Sequence, residues 1–126
     1  MSTHEHDDIF EAAAQILLEE DRCVTIGFYP GGITIRFPTT RKLAEHLGIP
    51  HYYVLPRFGA MERDGLIRRT ERVGISTTAP GTECLLAIMA DRYRERAEEI
   101  LDAEILSALQ ARAGVPGSDG SRSRRG

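Results

Sequence analysis

Two stretches decide the fold, PTTRKLAEHLGIP at residues 38–50 and MERDGLIRR at residues 61–69. The first predicts a short helix, a tight turn at Gly48 and a second helix that begins at Pro50. Glycine supplies the positive φ that such a turn needs, and proline suits the first turn of a helix. The second stretch ends that helix at Gly65 and enters a strand. Together they predict a pair of helices followed directly by a β segment.

The predicted pair of helices has a packing pattern as well as a turn. Leu43 and Leu47 are four residues apart, so they share one helix face and can pack against Val54. Thr39 or Thr40 can cap the first of the two helices. An ordinary helical hairpin would show the same features, so the segment after the second helix has to distinguish the two folds.

A two-stranded hairpin is predicted after the second helix. Residues 66–70 and 74–78 are short β-type segments on either side of residues 71–73, and a further helix follows, with Thr78 as its cap and Pro80 in its first turn. Helix, turn, helix and hairpin in this order resemble the winged helix-turn-helix transcriptional regulators, broadly the MarR and PadR-like groups. The resemblance covers roughly residues 9–89.

The resemblance implies an α+β, mainly helical fold and a sequence-specific DNA-binding transcriptional regulator, expected to be a homodimeric repressor. The second helix, residues 50–64, would lie in the major groove, and the wing, residues 66–78, would contact the backbone or the minor groove. The expected partners are double-stranded DNA and a second copy of the chain, and any small-molecule or redox effector is left open. The residues expected to contact DNA are Thr40, Arg41, Lys42, His51, Tyr52, Tyr53, Arg57, Arg68, Arg69 and Arg72.

The charge of the chain is unevenly distributed. The net charge is −3, which alone would not suggest a DNA-binding protein. Residues 36–72, however, hold eight basic and four acidic side chains, whereas residues 1–22 hold seven acidic side chains and one arginine. Residues 83–104 are also acidic, and residues 105–126 are basic. Because electrostatic attraction to DNA is local, the acidic total does not exclude DNA binding.

The helix at residues 50–64 has features for and against base reading. Arg57 can read guanine with two hydrogen bonds, whereas Leu55 is a poor base reader. Pro56 has no N–H to bond residue 52 and would cost about 3 kcal/mol inside a regular helix. We therefore expect a kink at Pro56, or a helix that restarts with Pro56 in its first turn. Leu55, Pro56 and the tyrosines favour the alternative function, a winged-helix protein–protein interaction module without specific DNA readout.

An extra β-hairpin at residues 23–37, after a first helix at residues 7–21, departs from the pattern of these families. Apolar residues alternate along both of its strands, and YPGG at residues 29–32 predicts a type II turn with Pro30 second and Gly31 third. The hairpin can extend the wing sheet or form a protruding arm. The alternation indicates that one face is covered, so a structural role is favoured over a ligand or partner surface.

A single long helix is predicted over residues 79–112, about 34 residues and near 50 Å. Its apolar stripe continues beyond the length that the domain can cover, so we expect it to pair with a second copy of the chain. The alternative is a helix broken near Ala97 and folded back onto its own domain. The residues expected at the dimer interface are Ile9, Phe10, Ile16, Met89, Tyr93, Ala97, Ile100, Leu101, Ile105 and Leu109.

The remaining clusters of reactive residues indicate a functional site only weakly. Cys23 and Cys84 are too few for a disulfide framework, and small apolar fillers are favoured over a redox switch. The acidic and histidine-rich residues 4–8 could bind a metal, but such termini arise easily by chance. Neither a P-loop nor a Ser/His/Asp signature is present. No metal, no cofactor and no enzymatic activity are therefore expected.

The domain organisation follows from composition. Residues 1–113 are expected to form one domain that includes the terminal dimerisation helices, and residues 114–126 a disordered basic tail. No apolar run approaches the roughly 18 residues of a membrane helix, and the acidic start does not resemble a signal peptide. The expected location is the cytoplasm.

Overall fold

The computed structural model describes residues 6–114 and contains six helices and two small antiparallel hairpins. The expected tail, apart from Gly114, and residues 4–5 of the N-terminal cluster lie outside the described residues. The α+β, mainly helical fold class is confirmed. The elements are α1 (Asp7–Gln15), a π-helical turn (Ile16–Glu20), β1 (Ile26–Tyr29), β2 (Gly32–Ile35), α2 (Thr40–Leu47), α3 (His51–Arg63), β3 (Ile67–Thr70), β4 (Gly74–Thr77), α4 (Ala79–Arg92), α5 (Arg94–Leu101) and α6 (Ala103–Ala113).

The turn between α2 and α3 forms as its residues predict. Thr39 caps α2 by accepting a hydrogen bond from the backbone N–H of Lys42 at 3.1 Å. Gly48 ends α2 with φ 68°, in the left-handed region that glycine tolerates best. Leu43 and Val54 are both buried, so the two helices join the main core along the predicted face.

Pro56 lies inside α3, which runs without interruption from His51 to Arg63. The prediction that the helix restarts at Pro56 is therefore wrong. The proline removes the helical hydrogen bond to the carbonyl of Tyr52. Both residues are exposed and lie four residues apart on the same side of α3, so water can satisfy that carbonyl.

The first hairpin, β1–β2, reaches the second hairpin, β3–β4, at one point. Arg36 forms a bridge with Ser76, and the N–H of Phe37 donates to the carbonyl of Ile75 at 2.8 Å. The hairpins remain two separate two-stranded sheets that this bridge links, so the first hairpin neither adds a strand to the second sheet nor protrudes as a free arm. Strand β2 is buried against α4 and α6. On β1, Ile26 packs half-buried against the core, whereas Phe28 is exposed, so β1 is covered only in part.

The turn of the first hairpin differs from the prediction. A type II turn needs a positive φ near 80° at its third residue. Gly31 does not have a left-handed φ, and Gly32 has a nearly extended φ of 158°. The predicted type II turn is therefore wrong.

The predicted single helix over residues 79–112 is also wrong, because the chain breaks twice and forms α4, α5 and α6. The first break is at Tyr93, whose hydroxyl donates to Glu11 Oε2 and accepts from Gln15 Nε2, both at 2.6 Å. The second is at Asp102, whose φ of 81° is left-handed and whose carboxylate accepts the N–H of Glu104 at 2.8 Å. As in the alternative, the helix folds back on its own domain, but it breaks on either side of α5 and not near Ala97, which lies inside α5.

The apolar stripe predicted for a dimer lies inside one chain. Ile9, Phe10 and Ile16 of the first helical segments are buried, and so are most of the stripe residues in the last three helices. Tyr93 and Ile100 are half-buried, and Ile105 is 51% exposed. Because the helical breaks let the chain cover most of the stripe itself, the stripe no longer requires a second copy, and the dimer stays a prediction. The stripe residues buried in the core are Met89, Ala97, Leu101 and Leu109.

Buried threonines connect the two hairpins to α4. The hydroxyl of Thr82 donates to the carbonyl of Ile33 at 2.9 Å, so Thr77 donates to the oxygen of Thr82 across 2.6 Å. Thr77 Oγ1 in turn accepts the N–H of Ile35 at 2.9 Å. Every hydroxyl in this buried network has a partner, so the network holds β2, β4 and α4 in one relative position.

Within residues 6–114, no helix is both long enough and apolar enough to cross a lipid bilayer.

Candidate functional site

The start of α2 carries three of the predicted site residues, Thr40, Arg41 and Lys42, and a fourth, His51, contacts it from α3. Thr40 Oγ1 and His51 Nε2 lie 2.7 Å apart in a hydrogen bond that joins α2 to α3. Lys42 donates to Asp21 at 2.9 Å, and the hydrogen bond and charge of Asp21 raise the pKa of the lysine. Arg41 is exposed. The lysine is thus occupied within the fold, whereas the arginine beside it extends into solvent.

The first half of α3 presents an aromatic surface. Tyr52 is 66% exposed and Tyr53 is 57% exposed, and their rings are 4.7 Å apart with a tilt of 43°. Leu55 and Pro56 continue this exposed surface along the helix. A surface of this kind can bury apolar area against a partner, and the phenolic hydroxyls can donate or accept hydrogen bonds.

Arg57 faces α1, although it was predicted to read bases. Its guanidinium donates to Asp8 at 2.7 Å. Burial alone would raise the pKa of Asp8, but the hydrogen bond and charge of Arg57 outweigh it and lower that pKa below 3.8. The pair connects α3 to α1, so Arg57 has a partner inside the fold.

The second hairpin separates its three predicted arginines. Arg69 lies 3.3 Å from Glu62 of α3, in a partly exposed ion pair. Arg68 is exposed on β3, and Arg72 is exposed in the turn between the strands with a left-handed φ of 72°. A left-handed φ is uncommon for arginine, so the turn carries local strain at this side chain.

Arg36 lies close to these arginines in the fold, although it was not among the residues expected to contact DNA. Ser76 is paired with Arg68 on one side and with Arg36 on the other. Directly paired residues share one sheet face, and the neighbours Ile67 and Thr77 on the opposite face are buried. Arg36, Ser76 and Arg68 therefore form a row across the outer face. The basic composition of residues 36–72 included Arg36, but nothing local could place it beside Arg68.

Two cavities lie along this row. The larger, about 540 Å³, is lined by Arg68, Ser76, Thr34 and the start of α4. The smaller, about 150 Å³, is lined by Arg36, Ser76, Thr34, Thr25 and Gly27. Neither lining contains a carboxylate, and both contain several hydroxyl groups. The row and its cavities thus offer guanidinium and hydroxyl donors with no negative charge among the lining residues.

Arginines differ in their partners according to their place in the chain. In the described part, the ones outside residues 36–72 are all occupied: Arg22, Arg92, Arg94 and Arg96 by carboxylates and Arg112 by the carbonyls of residues 29 and 32. Between residues 36 and 72, five arginines make no side-chain hydrogen bond or ion pair within residues 6–114. They are Arg36, Arg41, Arg63, Arg68 and Arg72.

The cysteines and histidines form no comparable cluster. Cys23 is exposed and Cys84 half-buried, both are free thiols, and burial raises the pKa of Cys84. His46 is bonded to Glu20 and Gln15, and buried His6 to Asp64 at 2.8 Å. Among the residues that the structure describes, no three His, Cys, Asp or Glu side chains could together hold a metal ion.

Comparison with known proteins identifies no family. No protein-family model, no curated protein and no solved structure matches the chain. Its function therefore has to be inferred from its own side chains.

Proposed function

We propose that the chain is a winged helix-turn-helix protein that binds double-stranded DNA, with α3 in the major groove and β3–β4 as the wing. The observation that carries this proposal is the partition of the arginines. All arginines without an internal partner in residues 6–114 lie between residues 36 and 72, on α2, α3 and the two hairpins. Phosphate binding needs cations that are free to exchange water and counterions for a phosphate oxygen.

The arrangement of α2 and α3 supports the same proposal. The two helices are joined by a turn at Gly48, and β3 begins four residues after α3 ends. In helix-turn-helix proteins the first residues of the second helix contact base edges. Here those residues are Tyr52 and Tyr53, both exposed, whereas Arg57 is bound to Asp8. In this proposal Tyr52 and Tyr53, and not Arg57, contact the base edges.

We propose repression as the biological role, as the resemblance of residues 9–89 to the winged helix-turn-helix regulators implies. A single copy carries every element that the proposed contact uses, since α2, α3 and the second hairpin belong to one chain. The proposal therefore does not depend on a dimer.

A second function, a protein–protein interaction module, is favoured by the exposed apolar surface of α3. Tyr52, Tyr53 and Leu55 resemble the aromatic and aliphatic anchors of protein interfaces more than a set of base readers. The two functions differ in their response to salt. Binding of phosphates weakens steeply as salt rises, whereas burial of apolar side chains does not.

Selection from a random duplex pool, followed by anisotropy titration at two salt concentrations, tests the proposal. We expect the wild type to prefer the selected sequence and to lose affinity as salt rises. Tyr52→Ala should reduce the preference over random DNA by about 1–3 kcal/mol if a base is read. Arg72→Ala should instead weaken selected and random DNA alike. A wild-type protein that does not bind duplex DNA even at low salt would overturn the proposal and leave the interaction module.

A further inference from the structure

We infer that the first hairpin, β1–β2, is part of the DNA-binding surface, and that the Arg36–Ser76–Arg68 row holds the phosphate backbone beside the wing. This inference rests on the proposed function and adds a contact surface to it. The pattern of winged-helix families does not predict this surface, because their first two helices are joined without a hairpin. The occupant is the sugar–phosphate backbone of the same duplex that α3 contacts.

The geometry of the row suits a phosphate backbone. Neighbouring strands are about 4.8 Å apart, so the Cα atoms of Arg36 and Arg68 lie about 10 Å from each other, on either side of Ser76. Both side chains are exposed and lack partners within residues 6–114. Long arginine side chains at this spacing can each reach one of two successive phosphates.

Hydroxyl groups complete the row. Thr34 lines both cavities beside Ser76, and Thr25 lines the smaller one. Serine and threonine hydroxyls are common donors to phosphate oxygens. Gly27 faces Thr34 across the hairpin, and a Cβ at this position would come 2.8 Å from Thr34 Oγ1. The glycine therefore keeps this part of the face open.

The row also continues towards α2. Arg36 lines a further cavity of about 500 Å³ together with Thr39 and Lys42 at the start of α2. Arg41, exposed and unpaired within the described residues, lies in the first turn of the same helix. One carboxylate, Asp21, lines this cavity, and it is held by Lys42. Basic side chains thus extend from Lys42 at the start of α2 through Arg36 to Arg68 on β3.

Salt titration of single variants tests the row. Arg36→Ala and Arg68→Ala should each lower the slope of log affinity against log salt by about 0.9, on selected and random duplexes alike. The two losses should add, because each arginine contacts its own phosphate oxygens. Arg36→Lys keeps the charge and should retain the slope. Arg96→Ala is the matched control: its arginine is also half-exposed but is paired with Glu99 on α5 and should leave DNA binding unchanged.

Stability is measured in parallel. The bridge to Ser76 uses the backbone of Arg36, and its side chain has no partner in the described fold, so Arg36→Ala should unfold at the same urea midpoint as the wild type. If the wild type binds DNA and Arg36→Ala has the same salt slope as Arg96→Ala, the row does not hold phosphates and this inference is overturned. The proposed function then still stands. The inference is also overturned if Arg36→Ala lowers the salt slope on the selected duplex but not on random DNA. Failure of the wild type to bind DNA overturns both.

Discussion

At the scale of single residues, charged groups connect helices that are distant in the sequence. Arg92 lies 2.7 Å from Glu11 and 3.3 Å from Asp7, which joins the end of α4 to α1. Arg112 donates to the carbonyl of Tyr29 at 2.8 Å and lies over the ring of Phe28, 5.6 Å from its centroid. This cation–π contact places a guanidinium over the exposed ring of Phe28 and attaches α6 to the first hairpin.

The pairing of Arg57 with Asp8 predicts a pH-dependent stability. Because the folded state lowers the pKa of Asp8 below 3.8, the pair stabilises the fold above about pH 4 and is lost as the pH falls through the lower folded pKa. The pair is partly exposed, so its contribution should be below about 1 kcal/mol. Arg57→Ala should therefore reduce stability slightly at pH 7 and leave it unchanged near pH 2.

The same variant also tests the role of Arg57 in recognition. With the guanidinium bound to α1, we expect Arg57→Ala to leave the preference for a selected duplex unchanged. The measurements are urea unfolding at both pH values and competition titration against random DNA, with Arg96→Ala as the exposed-arginine control. A loss of about 1–3 kcal/mol in sequence preference would show that Arg57 leaves Asp8 to read a base.

At the scale of elements, the breaks in the C-terminal helices decide how the chain closes. Residues 79–113 have a nearly continuous helical period, and the three helices nonetheless fold back on one another. Asp102 has φ 81° and ψ 143°, a conformation that costs a non-glycine residue about 1–3 kcal/mol. Burial of Leu101, Leu106 and Leu109 in the core offsets that cost.

Two substitutions at Asp102 distinguish a broken helix from a continuous one. In the broken form, Asp102→Gly should be neutral or stabilising, because glycine adopts this φ easily and is itself tolerated at a helix N-cap. Asp102→Ala should destabilise by about 1–2 kcal/mol, because it removes the cap to Glu104 and keeps the strain. A continuous helix would reverse both signs, since alanine favours a helix interior by about 1 kcal/mol over glycine. Urea unfolding of the two variants measures the difference.

At the scale of the whole molecule, the fold places opposite charges on different elements. Carboxylates of α1 and α5 hold most of the arginines of the C-terminal helices, whereas the unpaired arginines lie on α2, α3 and the hairpins. A net charge of −3 therefore coexists with a locally cationic surface. DNA approaching the protein would be attracted to that surface and repelled by the acidic elements, which favours one orientation of binding.

The covered apolar stripe predicts the mass of the protein in solution. Because residues such as Ala97 and Leu109 are buried within one chain, light scattering at micromolar concentration should give the chain mass of 14.0 kDa. Ile105→Glu should leave mass and stability nearly unchanged, since Ile105 is half-exposed. Its neighbour Leu106 is fully buried, so Leu106→Glu should unfold the chain. A measured mass of twice the chain mass for the wild type, falling to the chain mass in Ile105→Glu, would instead support a dimer through α6.

Local rules were enough for many elements of this protein. The cap at Thr39, the left-handed Gly48, the cap at Thr78 and the second hairpin all depend on residues within a few positions of one another. Helix periodicity, capping and turn geometry act over that range, so the sequence alone determined α2, α3 and the start of α4.

Tertiary structure alone decided the contacts between distant segments. The apolar periodicity of residues 79–112 continues past Tyr93 and Asp102, so the sequence does not predict a break at either residue. Only the packing of this segment onto α1 and β2 shows that the helix breaks there. The meeting of Arg36 with Ser76 and the capture of Arg57 by Asp8 join positions 40 and 49 residues apart. Sequence periodicity reports which residues are apolar, whereas the free energy of closing long loops onto a shared core determines which segments meet.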